Sequence, residues 1–140
     1  MAEYINTQVQ TVAVGANVLF NEEPVSGSVC VRHREGSGVV TLRGITNQCR
    51  ARFRVSFGAN IAVPTGETPG AISVALTYQG EALVGATAIV TPAAVGEYFN
   101  VFVSAFVDVD RGCCVPVSVE NTSTIPIDVQ NANIIIERVS

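Results

Sequence analysis

A chain of 140 residues with a formal net charge of −4, whose basic residues are all arginines, lacks the basic footprint of a nucleic-acid-binding domain. Its length fits one domain, and 48% hydrophobic against 14% charged residues argues against a disordered chain. So few charges also predict that part of the surface is hidden between subunits, because solvated surfaces usually carry more charged side chains.

Apolar and polar residues alternate in short runs separated by glycine, proline and asparagine, which predicts strands joined by turns and no helix. We expect one all-β domain over residues 1–140, with residues 1–7 as a candidate N-terminal arm and residues 21–27 as a loop. About ten antiparallel strands are predicted within 7–14, 17–20, 28–34, 39–42, 49–57, 71–79, 82–90, 97–108, 115–120, 125–129 and 132–139. A hairpin turn is expected at 35–38. Turn signals at roughly 8–12-residue spacing are typical of a sandwich or barrel.

The predicted strand at 49–57 carries a row of arginines on one face. The row consists of Arg50, Arg52 and Arg54. Side by side, their guanidinium groups repel one another unless acidic groups or an anion lie opposite. One interpretation is a solvated face with ion pairs to Asp108, Glu120 or Glu137. The other is a contact with a partner subunit or with an anionic ligand, such as a glycan carboxylate or a phosphate.

Two further arginines, Arg32 and Arg34, alternate in the same way on another predicted strand. They are candidates to extend the arginine patch, if the two strands share a sheet face.

The predicted strand at 97–108 has apolar residues on both faces. One face is a core pattern made of Phe99, Val101, Val103, Ala105 and Val107. The opposite face carries Tyr98, Phe102 and Phe106 among polar residues. A strand with one solvated face should alternate apolar and polar side chains, so the aromatic face needs a cover of its own. Because no helix is expected to supply that cover, we assign it to sister subunits and predict these three aromatic residues as the subunit interface.

Four cysteines and one histidine are the candidates for a metal or redox site. They are Cys30, Cys49, Cys113, Cys114 and His33. No cysteine pair has the C-x-x-C spacing of a zinc ribbon, so buried or half-buried thiols are favoured over a metal site. If disulfides form, Cys113 and Cys114 would each reach Cys30 or Cys49, because adjacent cysteines bond each other only with strain.

No motif in the chain predicts catalysis. His33 is the only histidine available to a serine-type triad, and no nucleophile elbow accompanies it. The run that begins at Asp108 resembles the start of a calcium loop but has Val119, not glutamate, at the twelfth position. The run Asn121-Thr122-Ser123 matches the acceptor motif for N-glycosylation, which has no meaning without secretion. We expect a protein that is not an enzyme and holds no metal or cofactor.

The sequence also predicts where the protein is made. No run approaches the ~18 consecutive apolar residues of a membrane helix. Residues 1–6 lack a basic region followed by an apolar run, so they do not form a secretion signal. We therefore expect synthesis in a bacterial cytoplasm without a signal peptide, no membrane partner, and reduced thiols as the default state.

The last third of the chain resembles the jelly-roll domains of the tumour necrosis factor (TNF) and C1q type. The resemblance rests on Gly96-x-Tyr98 opening a long aromatic strand, and on the Val-rich strand, polar turn and apolar strand between Val117 and Val139. It implies a jelly-roll β-sandwich and a tight homotrimer, with aromatic residues of the long strand packed about the three-fold axis. The chain departs from the C1q pattern at Asn100, where an aromatic residue is usual.

The whole chain is also similar to small proteins of phages and prophages. The similar segments are Met1-Ala2-Glu3-Tyr4, the run His-Arg-Glu-Gly-Ser-Gly at 33–38, and Arg111-Gly112-Cys113-Cys114. In phages such domains serve as capsid decoration, head-fibre or tail-tip components. The resemblance implies a structural virion protein whose partners are its own copies and phage capsid or tail proteins. The alternative is a module that binds host glycan or another host-surface ligand through its loops or its arginine row.

Overall fold

The computed structural model describes residues 2–25, 30–34 and 36–139. The strands are β1 (Ala2–Asn6), β2 (Gln10–Val12), β3 (Glu22–Val25), β4 (Val31–His33), β5 (Val39–Arg43), β6 (Arg50–Ala62), β7 (Ile72–Tyr78), β8 (Glu81–Val90), β9 (Phe99–Asp110), β10 (Cys114–Asn121) and β11 (Ile127–Arg138). Their pairings are antiparallel. The all-β fold predicted from the sequence is confirmed. Within the described ranges, no helix is long and apolar enough to span a membrane.

The strands form two sheets with a shared core. The six-stranded sheet has the order β3-β1-β11-β6-β9, with β2 also paired to β11, and the five-stranded sheet has the order β4-β5-β10-β7-β8. The chain crosses between the sheets after β3, β5, β6, β8, β9 and β10. Apart from the consecutive pairs β4–β5 and β7–β8, neighbouring strands of a sheet are therefore separated in the sequence, and β1 lies beside β11.

Alternate residues of the long strands supply the core. In β6 the buried members are Ala51, Phe53, Val55, Phe57, Ala59 and Ile61. In β11 the alternation changes phase, because Ile127 and Val129 point inward before the bulge, and Ile134 and Ile136 after it. The bulge lies between Gln130 and Asn133 and shifts the side-chain direction by one residue. The two strands predicted at 125–129 and 132–139 are consequently one bulged strand.

Several strand boundaries differ from the sequence prediction. The expected arm is instead an inner strand, since β1 pairs with β11 on one side and β3 on the other, with Ala2 and Tyr4 buried. The predicted loop at 21–27 contains β3, which tolerates Pro24 because an edge strand needs no second row of hydrogen bonds. The predicted strand at 17–20 contributes only one isolated bridge. Residues 1, 26–29 and 35 of these predictions lie outside the described residues.

A buried amide closes one end of the sandwich. The side chain of Asn121, the last residue of β10, donates to the carbonyl oxygens of Val12 and Ile125 at 3.0 Å each, and accepts from the Ser123 amide at 2.9 Å. Asn121 is fully buried, and both polar atoms of its side-chain amide are already hydrogen-bonded. The apparent glycosylation motif is therefore a structural turn.

Candidate assembly face

The outer face of the six-stranded sheet carries two exposed phenylalanines along its border. Phe102 and Phe106 of β9 are 67% and 64% exposed, whereas Val101, Val103 and Val107 between and beside them are buried. Among the described strands of its sheet, β9 pairs with β6 alone, so these rings stand at the edge of the face. We call Phe102 and Phe106 the aromatic ridge.

The third aromatic residue of the predicted interface, Tyr98, stands apart from the ridge. It precedes β9 and is 38% exposed. Burial raises the pKa of the Tyr98 phenol above its ordinary value, and the Asp128 carboxylate of β11 raises it further. Phe99, predicted to lie on the core face, is itself 37% exposed because it begins the strand at the end of the sandwich.

Small residues lie beside the aromatic ridge. Phe102 is opposite Gly58 of β6, and Ser104 is opposite Ser56. A Cβ on Gly58 would stand 3.8 Å from the Phe102 ring, so the ring leans over the glycine. The hydroxyls of Ser56 and Ser104 are hydrogen-bonded to each other at 3.1 Å. This strip leaves the phenyl rings standing above their neighbours.

Beyond that strip the face is mixed, with aliphatic side chains standing among polar ones such as Glu3, which lies opposite both Ile135 and Val25. Ile135 of β11 lies opposite Ser56, and on β1 Ile5 lies opposite Asn133. Val25 of β3 follows at the far edge and is 43% exposed. We call Ile5, Val25 and Ile135 the aliphatic band. The sequence analysis missed it, although the run Ile134-Ile135-Ile136 places isoleucine on both faces of one strand and could have signalled it.

The arginine row crosses the same face near Phe106, and each of its members has an acidic partner. Nε and Nη2 of Arg52 donate to the two carboxylate oxygens of Asp108 at 2.7 and 3.2 Å. Arg50 lies 3.5 Å from the same carboxylate, and Arg54 lies 3.4 Å from Glu137. The hydrogen bonds from Arg52 hold the pKa of Asp108 below its ordinary value. The side chains of these ion pairs are largely exposed, so solvent screens the attraction between them. The row therefore forms a charged border of the face.

Other residues grouped with this row from the sequence lie elsewhere. Glu120, the third acidic partner considered, belongs to β10, and Arg32 belongs to β4 with Arg34 directly after it. These elements are in the five-stranded sheet, so Arg32 and Arg34 do not extend the patch.

The four cysteines are at one end of the sandwich as free thiols. Cys30 precedes β4, Cys49 precedes β6, and Cys113 and Cys114 stand at the start of β10, where β5 and β9 finish. Cys30 is buried with its sulfur 3.2 Å from Nη1 of Arg138, and the other three are exposed. In the described part of the chain, no group of three or more metal-ligating side chains comes together.

His33 is packed at the opposite border from β9. Its ring stacks on Tyr4 with centroids 4.3 Å apart, and the Phe20 ring lies at a steep angle to it with centroids 6.3 Å apart. Nδ1 is 3.1 Å from the Glu23 carboxylate and Nε2 is 2.8 Å from the carbonyl oxygen of Ser37. With both nitrogens engaged, the buried ring ties β3 to the turn before β5.

Two solved structures share this arrangement of strands. Eiger TNF from S. frugiperda matches with a TM-score of 0.72 over 99% of this chain and 91% of that one, at 13% identity. The globular domain of the zebrafish complement 1qA protein matches with a TM-score of 0.61 over 96% and 94%, at 12% identity. The fold is a jelly roll of the TNF and C1q type. At such identities the likeness establishes the fold alone. No family model matches the sequence, and no curated protein matches it.

Proposed function

We propose that this chain is a non-enzymatic structural protein of a bacteriophage particle, made in the bacterial cytoplasm, which forms a homotrimer through the outer face of its six-stranded sheet. The observation that carries the assembly is the aromatic ridge, whose two rings are about two-thirds exposed. Grouped exposed aromatic side chains mark contact surfaces, whereas single exposed apolar residues are ordinary.

The energetic gain from covering the ridge supports this role. Full burial of a large apolar side chain contributes ~1.5–3 kcal/mol. Because each ring is already one-third covered, an interface adds about 1–2 kcal/mol per ring. Six such rings in a trimer offset a large share of the cost of association, with the remaining contacts supplied by the rest of the face.

A second copy of the chain suits the face better than a dissimilar partner. The aromatic ridge lies on the border strand β9 and the aliphatic band on β11, β1 and β3 of the same sheet, so the ridge of one copy can pack on the band of the next. Such a contact joins two different surface patches. It closes a ring of three subunits when each copy is related to the next by a three-fold rotation. The ion-paired arginine row provides the polar rim that interfaces usually have.

Size-exclusion chromatography with light scattering tests the assembly. We expect wild-type protein at three times the 14.7 kDa chain mass, and Phe102→Asp or Phe106→Asp as monomer or aggregate. Val14→Asp is the matched control, because Val14 is 55% exposed but lies in the turn after β2, away from the face. Circular dichroism verifies that each variant is folded. A wild-type protein that is folded and monomeric overturns the proposal.

The support for a phage particle is the similarity of three segments, at 1–4, 33–38 and 111–114, to small phage proteins. A capsid-decoration or head-fibre protein would be recovered with the phage heads, whereas a tail-tip protein would be recovered with the tails. Mass spectrometry of purified particles, followed by separation of heads from tails, should find the protein in one fraction. Its absence from intact particles would refute the virion role while leaving the trimer untouched.

The alternative is a glycan- or host-surface-binding module that acts through its loops or its arginine row. Each guanidinium of that row has a carboxylate within 3.5 Å, so the row offers little to an external anion. Loss of glycan-array binding in Arg52→Ala would nevertheless favour this second function.

A further inference from the structure

The outer face of the five-stranded sheet, on the side away from the aromatic ridge, carries two adjoining depressions. One has a volume of about 400 Å³ and is lined by Arg32, His33, Arg34, Ser37, Val39 and Thr41. The other has a volume of about 360 Å³, with Asn17, Gln79, Pro116, Ser118 and Glu120 among its lining residues. Val39 lines both depressions, so they adjoin each other, and we call the two together the groove.

The first depression holds two uncompensated positive charges. Arg32 and Arg34 are exposed and have no ion pair or hydrogen bond to the side chains of the described residues. Glu23, a carboxylate near this border, is bonded to His33. Like charges on alternate residues repel unless an anion lies opposite. In a chain of net charge −4 whose arginine row is ion-paired with its own acids, this pair stands out as a site for an external anion.

The second depression offers neutral and acidic hydrogen-bonding groups. Within the described residues, the side chains of Asn17, Gln79 and Glu120 make no hydrogen bond, so their polar atoms are available to a ligand. Gln79 and Gly80 form the tight turn between β7 and β8 with φ values of 53° and 83°, which fixes the wall of the groove. Amide and carboxylate groups of this kind bind hydroxyls as both donors and acceptors.

We propose that this groove binds an acidic saccharide. A sugar carboxylate would lie between Arg32 and Arg34, whose planar guanidinium groups match a carboxylate through paired hydrogen bonds. Hydroxyls of the same ligand would contact Asn17, Gln79 and Glu120. The shared wall at Val39 sets the two subsites side by side, so one oligosaccharide can occupy both.

The groove is less suited to a nucleic acid. Glu120 and the negative net charge oppose a polyphosphate. Single-stranded nucleic acids also need aromatic platforms for their bases, and no phenylalanine, tyrosine or tryptophan is among the described lining of either depression. The proposal goes beyond assembly, because the groove and the aromatic ridge occupy opposite sheets and the groove stays open in a trimer built on the other face.

A glycan array printed with uronic-acid, sialic-acid and neutral oligosaccharides tests the inference on the wild-type protein. We expect binding only to acid-bearing glycans, and weaker binding as salt is added, because the exposed arginine pair is screened. The double variant Arg32→Gln/Arg34→Gln should lose at least about tenfold in affinity for the best glycan, since bonds to charged groups are the stronger ones. Arg111→Gln is the matched control, an exposed arginine at the β9–β10 turn, and should bind as wild type.

A separate variant tests whether the ligand is a saccharide, and several outcomes would reject the proposal. Gln79→Asn shortens the amide yet suits the positive φ, and should weaken glycan binding without altering competition by inorganic phosphate. The inference fails if no acid-bearing glycan is retained, if neutral glycans bind equally, or if Arg111→Gln loses as much as the double variant. Equal competition by inorganic phosphate or single-stranded DNA would also reject a saccharide site. Unchanged trimer mass in every variant separates these outcomes from a failure of assembly.

Discussion

The buried side chain of Asn121 allows a quantitative test of what holds one end of the sandwich together. Its Nδ2 donates to the carbonyl oxygens of Val12 and Ile125 at 3.0 Å, and more weakly to that of Ala13 at 3.3 Å. In Asn121→Asp the donor becomes a carboxylate oxygen that faces these carbonyls. The bond accepted from the Ser123 amide survives, so the substitution isolates the donating half of the network.

The structure sets the size of the expected loss. Each buried polar group left without its partner costs ~1–3 kcal/mol, and two such bonds of 3.0 Å are removed here. We therefore expect Asn121→Asp to lower the free energy of unfolding by about 2–5 kcal/mol near neutral pH. Burial without a donor should raise the pKa of the introduced carboxyl in the folded state, and the protonated acid can donate one hydrogen bond. The deficit should thus grow as pH rises above about 4 and shrink below it.

Urea unfolding at equal protein concentration provides the measurement, with the midpoint and the slope fitted separately. Asn47→Asp is the control, because Asn47 is exposed in the turn between β5 and β6. It should shift stability by less than about 0.5 kcal/mol. A value for Asn121→Asp as small as that of the control would contradict the assigned role of the amide, as would a deficit that is independent of pH.

Three further predictions concern single positions. A Cβ on Gly44 would overlap the backbone at the end of β9, so Gly44→Ala should cost at least ~1–3 kcal/mol in thermal or urea unfolding, whereas Gly70→Ala, which meets open space, should be nearly neutral. The pKa of Asp108 is lowered by Arg52, so the stability that this pairing adds is present above about pH 4 and lost as pH falls through the folded-state pKa. Acid titrations of wild type and Asp108→Asn should diverge in that direction, and parallel curves would count against the pairing. Burial raises the pKa of Tyr98, so in alkaline absorbance titration Tyr98→Phe should lose a tyrosinate signal that appears above the ordinary range of tyrosine.

The strands that could be predicted are those whose two faces differ. In β6 the apolar residues alternate with arginine, serine, glycine and asparagine as far as Ile61, and the structure buries the apolar set. The outward direction of Phe102 and Phe106 followed from the same alternation. A period of two is a local property, so it can be recognised without knowing any partner strand.

The boundaries that could not be predicted depend on partners distant in the sequence. All four residues of β3 are exposed, so its strand conformation comes from pairing with β1 and leaves no hydrophobic pattern. In β11 the bulge near Asn131 reverses the alternation and made one strand resemble two. β1 is only five residues long, and its partner in β11 lies at the other end of the sequence.

The candidate sites show the same division. Charge complementarity named Asp108 and Glu137 as partners of the arginine row, because opposite charges on neighbouring strands attract whatever the topology. The placement of Arg32 and Arg34 on the other sheet, beside a groove built from the turn at Gln79, follows from chain crossings that no local pattern encodes.

The pairing of β1 with β11 has a consequence for synthesis on the ribosome. The first strand to emerge has its principal neighbour in the last one, and Ala2 and Tyr4 are buried only once β11 is in place beside them. Until then the nascent chain keeps apolar residues of β1 and an unpaired border of the growing sheet exposed, so folding is completed late and through contacts distant in sequence. The aliphatic band combines Ile5 of β1 with Ile135 of β11. It is therefore incomplete until β11 has been made and paired with β1. Only a chain translated through β11 can then present a complete surface to its neighbours.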